Sequence, residues 1–204
     1  VEGAVPFTCQ GPDNGLAIEG GSTLAWEVAD ELRAAGASLD RIVVQVGGGA
    51  LASGISLGFD DAAAIGAVES VPTLDAVQAR GGAPLARAFE RVVADLGLVA
   101  GTPADPSVVH EGLRRVADRR SRYMWPWETE PVSIAHGILD DETYDWLAVV
   151  RAMLVTGGRV VVVDEPALRA ANALACGATG IDADETGTAG VAGLLALAAA
   201  GILK

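Results

Sequence analysis

Three consecutive glycines, Gly47-Gly48-Gly49, follow the apolar run Ile42-Val43-Val44-Gln45-Val46 and precede Ala50 and Leu51 in a segment that reads as a short helix. A glycine triplet leaving a buried strand and entering a helix exposes successive backbone N–H groups beside the positive helix end. Such a loop suits a phosphate or a carboxylate. Other chemistry is sparsely represented. Cys9 and Cys176 lie far apart and, with His110 and His136, form no metal-ligand spacing, so no metal site is expected. Of the 14 basic residues 13 are arginine, and the single lysine is Lys204.

Three kinds of phosphate loop compete for residues 47–51. A nucleotide-triphosphate loop requires Gly-Lys-Ser/Thr, which the chain lacks. A dinucleotide loop requires Gly-x-Gly-x-x-Gly, whereas Gly47, Gly49 and Gly54 leave four residues in the second gap. The third is a pyridoxal-phosphate loop, in which backbone amides hold a phosphate monoester. A glycine-rich turn without a ligand is the structural alternative.

The elements that must position this loop follow from periodicity. Residues 1–20 read as irregular chain with turn residues. A helix runs from Ser22, capped by Ser22 or Thr23, to Gly36. The strand Arg41–Val46 is β-branched without alternation, as expected for a strand covered on both faces. Ala50–Leu57 turns back as a short helix, and Ala64–Val68 is expected to form a second inner strand. Helices are expected over Pro84–Gly97, Pro106–Arg120 and Asp140–Thr156, with Trp125 and Trp127 in a packed loop between the last two. Val160–Val163, entered through Arg159, is the clearest strand. Asp164 and Pro166 open a helix to Ala175, Gly177–Asp184 is a turn that could hold a short strand, and Thr188–Ile202 is the final helix. Inner strands alternating with helices define an α/β fold with a mostly parallel sheet and helices on both faces. No repeat or linker divides residues 1–204, so one domain is expected.

Within these elements, Ile18-Glu19-Gly20-Gly21-Ser22-Thr23 followed by Val46-Gly47-Gly48-Gly49-Ala50-Leu51-Ala52-Ser53-Gly54 resembles the large-domain half of the tryptophan-synthase-β-like, fold-type-II pyridoxal-phosphate enzymes, a group that includes threonine synthase and the threonine and serine dehydratases. Ile65-Gly66-Ala67-Val68-Glu69 resembles the family's "GVE" strand end. Ser133-Ile134-Ala135-His136-Gly137-Ile138 is similar to its "S/T-I-A-x-G" stretch, with His136 where many members carry an acid. Thr186-Gly187-Thr188-Ala189-Gly190 resembles the opening of its last large helix.

The resemblance implies pyridoxal phosphate as cofactor, with its phosphate on the backbone amides around Gly47, Gly48, Gly49, Ala50 and Leu51. Ala50 stands where a fourth glycine is common. Thr186 matches the hydroxyl that meets the pyridine nitrogen; a neutral partner there leaves the nitrogen largely unprotonated and suits elimination and replacement at Cβ. Capping the last helix is the alternative role for Thr186. Glu165 could face the cofactor ring or serve the start of its helix.

Members hold the cofactor as a Schiff base on a lysine in their N-terminal half, and no lysine precedes Lys204 here. The expectation is therefore the C-terminal part of a longer enzyme acting on a small amino acid, threonine synthase-like or threonine/serine dehydratase-like. No residue of this chain is assigned a catalytic role, and the chain alone is expected to be inactive. A non-catalytic binding or partner-subunit module and a nucleotide-binding Rossmann-like domain are the rival readings.

The resemblance further implies a homo-oligomer for the complete enzyme and a cytoplasmic location. A net charge of −13 argues against nucleic acid as partner, and no apolar run reaches the roughly 20 residues needed to span a bilayer. With 50% hydrophobic residues, part of the apolar surface is expected to be covered by the missing half. Concentration-dependent self-association of the isolated chain in analytical ultracentrifugation is the expected outcome, and a well-behaved monomer would count against it.

Overall fold

A computed structural model describes Thr8 and residues 14–203. Cys9 and Lys204 lie outside the described residues. Three parallel strands form a sheet of order β1-β2-β3, with β1 Arg41–Gln45, β2 Thr73–Ala79 and β3 Val160–Val163. Val43 pairs with Asp75, and Val77 pairs with Val161, so the three C-terminal ends emerge on one edge. Seven α-helices surround the sheet: α1 Gly15–Ala35, α2 Ala50–Ala64, α3 Pro84–Leu96, α4 Pro106–Ala117, α5 Trp146–Thr156, α6 Glu165–Thr179 and α7 Ala189–Ala199.

Helices cover both faces, and each face has its own apolar cluster. On one side Val44, Val46, Phe59, Leu85, Phe89, Trp146 and Met153 join α2, α3 and α5 to the strands. On the other, Val77, Ala79, Val163, Leu168, Ala171, Ala189 and Ala192 seat α7 and α6. Burial of these side chains is the dominant favourable contribution to such a fold.

Close helix packing depends on small residues. A Cβ on Gly190 would lie 2.6 Å from the Val43 carbonyl oxygen, and one on Gly193 would collide with the Val77 side chain. These two glycines let α7 lie directly on the sheet. Between α1 and α2, a Cβ on Gly58 would sit 2.6 Å from the Ser22 carbonyl oxygen, and one on Gly54 would press on the Gly21 backbone.

That packing corrects the expected start of the first helix. α1 begins at Gly15, seven residues before Ser22, and Glu19-Gly20-Gly21-Ser22-Thr23 is helix interior. Ser22 and Thr23 do not cap; their hydroxyls donate back to the carbonyls of Ile18 and Gly20. The glycine doublet reads as a break because each glycine costs a helix about 1 kcal/mol, yet it lies inside α1, whose close contact with α2 depends on Gly54 and Gly58. At the other end the expectation holds, with Gly36 in the left-handed region at φ 61°.

The second strand is also displaced. Residues 65–68 form a turn after α2, with Gly66 at φ 75° and Ile65 82% exposed, not an inner strand. The strand lies at Thr73–Ala79, where Asp75 and Gln78 disguise it. Both are fully buried. Asp75 pairs with the Arg41 guanidinium and accepts the Arg159 amide at 2.8 Å, joining the N-terminal ends of all three strands.

Other boundaries shift less. α5 begins at Trp146, leaving residues 140–145 as an irregular segment, and α6 continues through Gly177 to Thr179 with no strand after it. The tryptophan loop is packed as expected. The Arg87 guanidinium lies 3.7 Å from the Trp125 ring centroid and 5.2 Å from that of Trp127, and the Trp127 amide donates to the Asp141 carbonyl at 2.9 Å.

Two glycine substitutions should separate packing from propensity. Gly193→Val, which overfills the contact with Val77, should destabilise by about 1–3 kcal/mol or more. Gly177→Ala, inside α6 with open space around it, should stabilise by roughly 0.5–1 kcal/mol. Chemical-denaturant unfolding of both variants checks the opposite signs.

Candidate functional site

β1 delivers the chain into Gly47-Gly48-Gly49 at the C-terminal edge of the sheet, where α/β folds place their ligands. Gly49 is the residue before α2 and has φ 100°, a conformation open to glycine and strained for other residues. Gly49 has no side chain with which to cap this helix, and Ala50, Leu51 and Ala52 form its first turn, whose amides have no partner within the helix. The loop is thus a ring of amide donors at a helix N-terminus.

A cleft of about 290 Å³ opens over these donors, at the lower end of the range for small-molecule sites. The glycine loop with Ala50 and Leu51 forms its floor. Gln45, Gly137, Ile138, Asp140, Tyr144, Asp145 and Thr186 complete the lining. No Lys, Arg or His is among these residues.

Thr186 belongs to the turn before α7. Its Oγ1 accepts the Gly137 amide at 3.0 Å, and a Cβ on Gly137 would lie 2.7 Å from the Thr186 methyl. With its oxygen engaged as acceptor, the hydroxyl proton is left to be donated elsewhere. Thr186 does not cap α7; the residue preceding that helix is Thr188, without a side-chain cap bond.

Glu165 falls elsewhere. It occupies the first position of α6, and its Oε2 accepts the Ile134 amide at 3.0 Å. It does not line the cleft. Its carboxylate supports the segment 133–138, which presents Gly137 to Thr186, and so acts on the site through the backbone. His136 and His110 are exposed. The structure therefore brings Gly47, Gly48, Gly49, Ala50, Leu51 and Thr186 together and sets Glu165 apart.

Residues 140–145 form a wall that periodicity assigns to a helix. The Asp145 amide donates to the Gly48 carbonyl at 2.8 Å, which holds the loop against this wall. A Cβ on Gly49 would lie 3.1 Å from Asp145 Cβ, and one on Gly47 would lie 2.5 Å from Asp140 Oδ2. Burial pushes the Asp140 carboxyl above its ordinary range; the Gly48 amide opposes that shift and the neighbouring Asp141 adds to it. Burial also raises the Tyr144 phenol, reinforced by Asp141, Asp140 and Glu142.

Gln78 locks the site from below. Its Nε2 donates to the Val46 carbonyl at 3.2 Å and to Thr143 Oγ1 at 3.4 Å, and its Oε1 accepts the Ala86 amide at 3.1 Å. One buried amide thus joins the strand end, the start of the glycine loop, the 140–145 wall and α3.

The chain belongs to the pyridoxal-phosphate-dependent enzyme family, whose model matches residues 4–204, and the cofactor of that family is pyridoxal phosphate. Among solved structures, the threonine deaminase of T.th. superposes with TM-score 0.65 at 18% identity, covering 92% of this chain and 53% of that one. The processed form of threonine deaminase isoform 2 from Solanum lycopersicum gives TM-score 0.64 at 15% identity, covering 94% and 43%. Maize serine racemase gives 0.54 at 22%, covering 86% and 42%. A search of curated proteins found no match. The chain thus spans about half the length of the solved relatives it resembles.

The residues present fit the cofactor's phosphate: a Cβ on Gly47 would clash, Gly49 is held at φ 100° with tight contacts, and the loop and first helix turn line the cleft. Gln78→Leu should lower stability by about 2–4 kcal/mol, because it strips buried backbone groups of their partners, and denaturant unfolding measures the loss.

Proposed function

We propose that this chain is the phosphate-binding and ring-binding part, as one α/β domain, of a pyridoxal-phosphate-dependent enzyme that acts on a small amino acid by elimination or replacement. The observation that carries the reading is the convergence of the glycine-loop amides and the Thr186 hydroxyl on one cleft at the C-terminal edge of the sheet. Fold likeness to threonine deaminase and serine racemase supports the substrate class. When bound, pyridoxal phosphate supplies an electron sink for bonds at the amino acid Cα.

The chain's own residues hold and orient. Amides of residues 47–51 and the α2 N-terminus fix the phosphate. Thr186, its oxygen held by Gly137, donates its proton to the pyridine nitrogen and keeps that nitrogen uncharged. The Schiff-base lysine comes from outside residues 1–203, and the residues that read the substrate carboxylate lie with it. A cytoplasmic homo-oligomer is the proposed setting for the whole enzyme; no described helix is long and apolar enough to cross a membrane. The shortage of lysine favours one second reading, a partner-subunit module that keeps the cradle without catalysis.

The chain should bind pyridoxal phosphate at least tenfold more tightly than pyridoxal in fluorescence titrations, and Gly49→Val should abolish that preference. Equal affinity for the two would overturn the reading. Supplying the lysine-bearing part should yield a borohydride-reducible chromophore and turnover of an amino acid, whereas a cofactor-binding assembly without turnover would favour the module.

A further inference from the structure

One carboxylate, Asp140, lines the cleft beside the loop proposed to hold the cofactor's phosphate. Asp140 Oδ2 lies so close to the loop that a Cβ on Gly47 would be 2.5 Å from it and one on Gly48 3.5 Å, and the nearby Gly48 amide favours the ionised form of this carboxylate. Two anions cannot share one amide without cost, since like charges within a few ångströms strongly disfavour each other's ionised forms. We propose that Asp140 is a built-in competitor for the phosphate cradle, so that a phosphate group taking the Gly48 amide must neutralise or displace this carboxylate and its binding takes up a proton. The inference rests on the functional reading given above.

The described residues around this carboxylate supply no positive charge to balance it. From its own segment Asp140 has Asp141 beside it and shares the cleft lining with Tyr144 and Asp145, while Glu142, which acts on Tyr144, is paired with Arg120 outside the lining. The glycine loop and α2 present only backbone amides, β1 contributes the neutral Gln45, and the turn before α7 contributes the neutral Thr186. From the 133–138 segment Gly137 and Ile138 line the cleft, and His136 is exposed beside them. Among the described residues no cation lines the cleft to hold the phosphate and the Asp140 carboxylate together. Burial already favours the protonated carboxyl, which lowers the cost of neutralising it. Protonated Asp140 becomes a donor and can give its hydrogen to a phosphate oxygen.

The sign follows from linkage. A carboxyl whose pKa is raised on folding stabilises the folded chain below its ordinary pKa, and that contribution is lost as pH rises through the folded value. Above that value Asp140 is ionised and opposes the phosphate.

The test is calorimetric titration of the 204-residue chain with pyridoxal phosphate between pH 5.5 and 8.5, in buffers of different ionisation enthalpy, for the wild type, Asp140→Asn and Asp140→Ser. The ligand's own titration is common to all three and cancels. At pH 8 both variants should bind about tenfold more tightly than the wild type, a factor equal to one pKa unit. The gap should narrow as pH falls, and the wild type should take up more protons than either variant. Thermal unfolding at pH 8 should show both variants folded and Asp140→Asn at least as stable as the wild type. Parallel pH profiles with affinities within twofold would overturn the inference while leaving the functional reading intact. Absence of pyridoxal phosphate binding by all three folded chains at every pH would overturn both.

Discussion

The site depends on one close approach: the backbone of Gly47-Gly48-Gly49 runs against residues 138–145, with a clash for a Cβ at position 47 and tight contacts at 48 and 49. The Gly48 carbonyl accepts the Asp145 amide, so the same peptide that turns donors toward the cleft is tied on its other side to the segment leading into α5. A larger residue would push this wall away, and with it Ile138, Asp140 and Tyr144. Close approach at these α-carbons is what brings β1, α2 and the 140–145 segment into one cleft.

The polar framework beneath has the opposite character. Asp75 and Gln78 stand toward opposite ends of the short buried strand β2. Asp75 collects Arg41 and the Arg159 amide at the N-terminal edge, and Gln78 collects Val46, Thr143 and Ala86 near the C-terminal edge. A buried polar group is costly unless satisfied. Because these two have several partners each, they fix the register of the strands and the height of the glycine loop above the sheet.

The same two residues explain what could be read from the chain alone. Val160–Val163 and Arg41–Val46 announce themselves as buried strands because apolar side chains face both layers, and the glycine triplet is legible because its function is carried by backbone, which other residues would obstruct. β2 is not legible in this way: its burial is offset by partners distant in sequence, so Asp75 and Gln78 look like loop residues until those partners are in place. The helix expected over residues 140–145 fails for a related reason. Asp145 binds the Gly48 carbonyl, a contact made across most of the intervening chain, and periodicity has no access to it. Thr186 could be singled out by its motif, whereas the role of Glu165 in holding Ile134 needed the fold.

The seating of α7 gives the cleft two walls of different construction. Gly190 and Gly193 place this helix in direct contact with Val43 and Val77, so Thr186 is carried on a body that can slide only if the sheet itself deforms. Facing it, residues 133–145 are mostly irregular chain, held by buried Ala135, Ile138 and Thr143 and by hydrogen bonds to Glu165, Gln78, Gly48 and Thr186. The Thr186 hydroxyl is thus fixed relative to the sheet, and the facing wall is set by contacts of irregular chain.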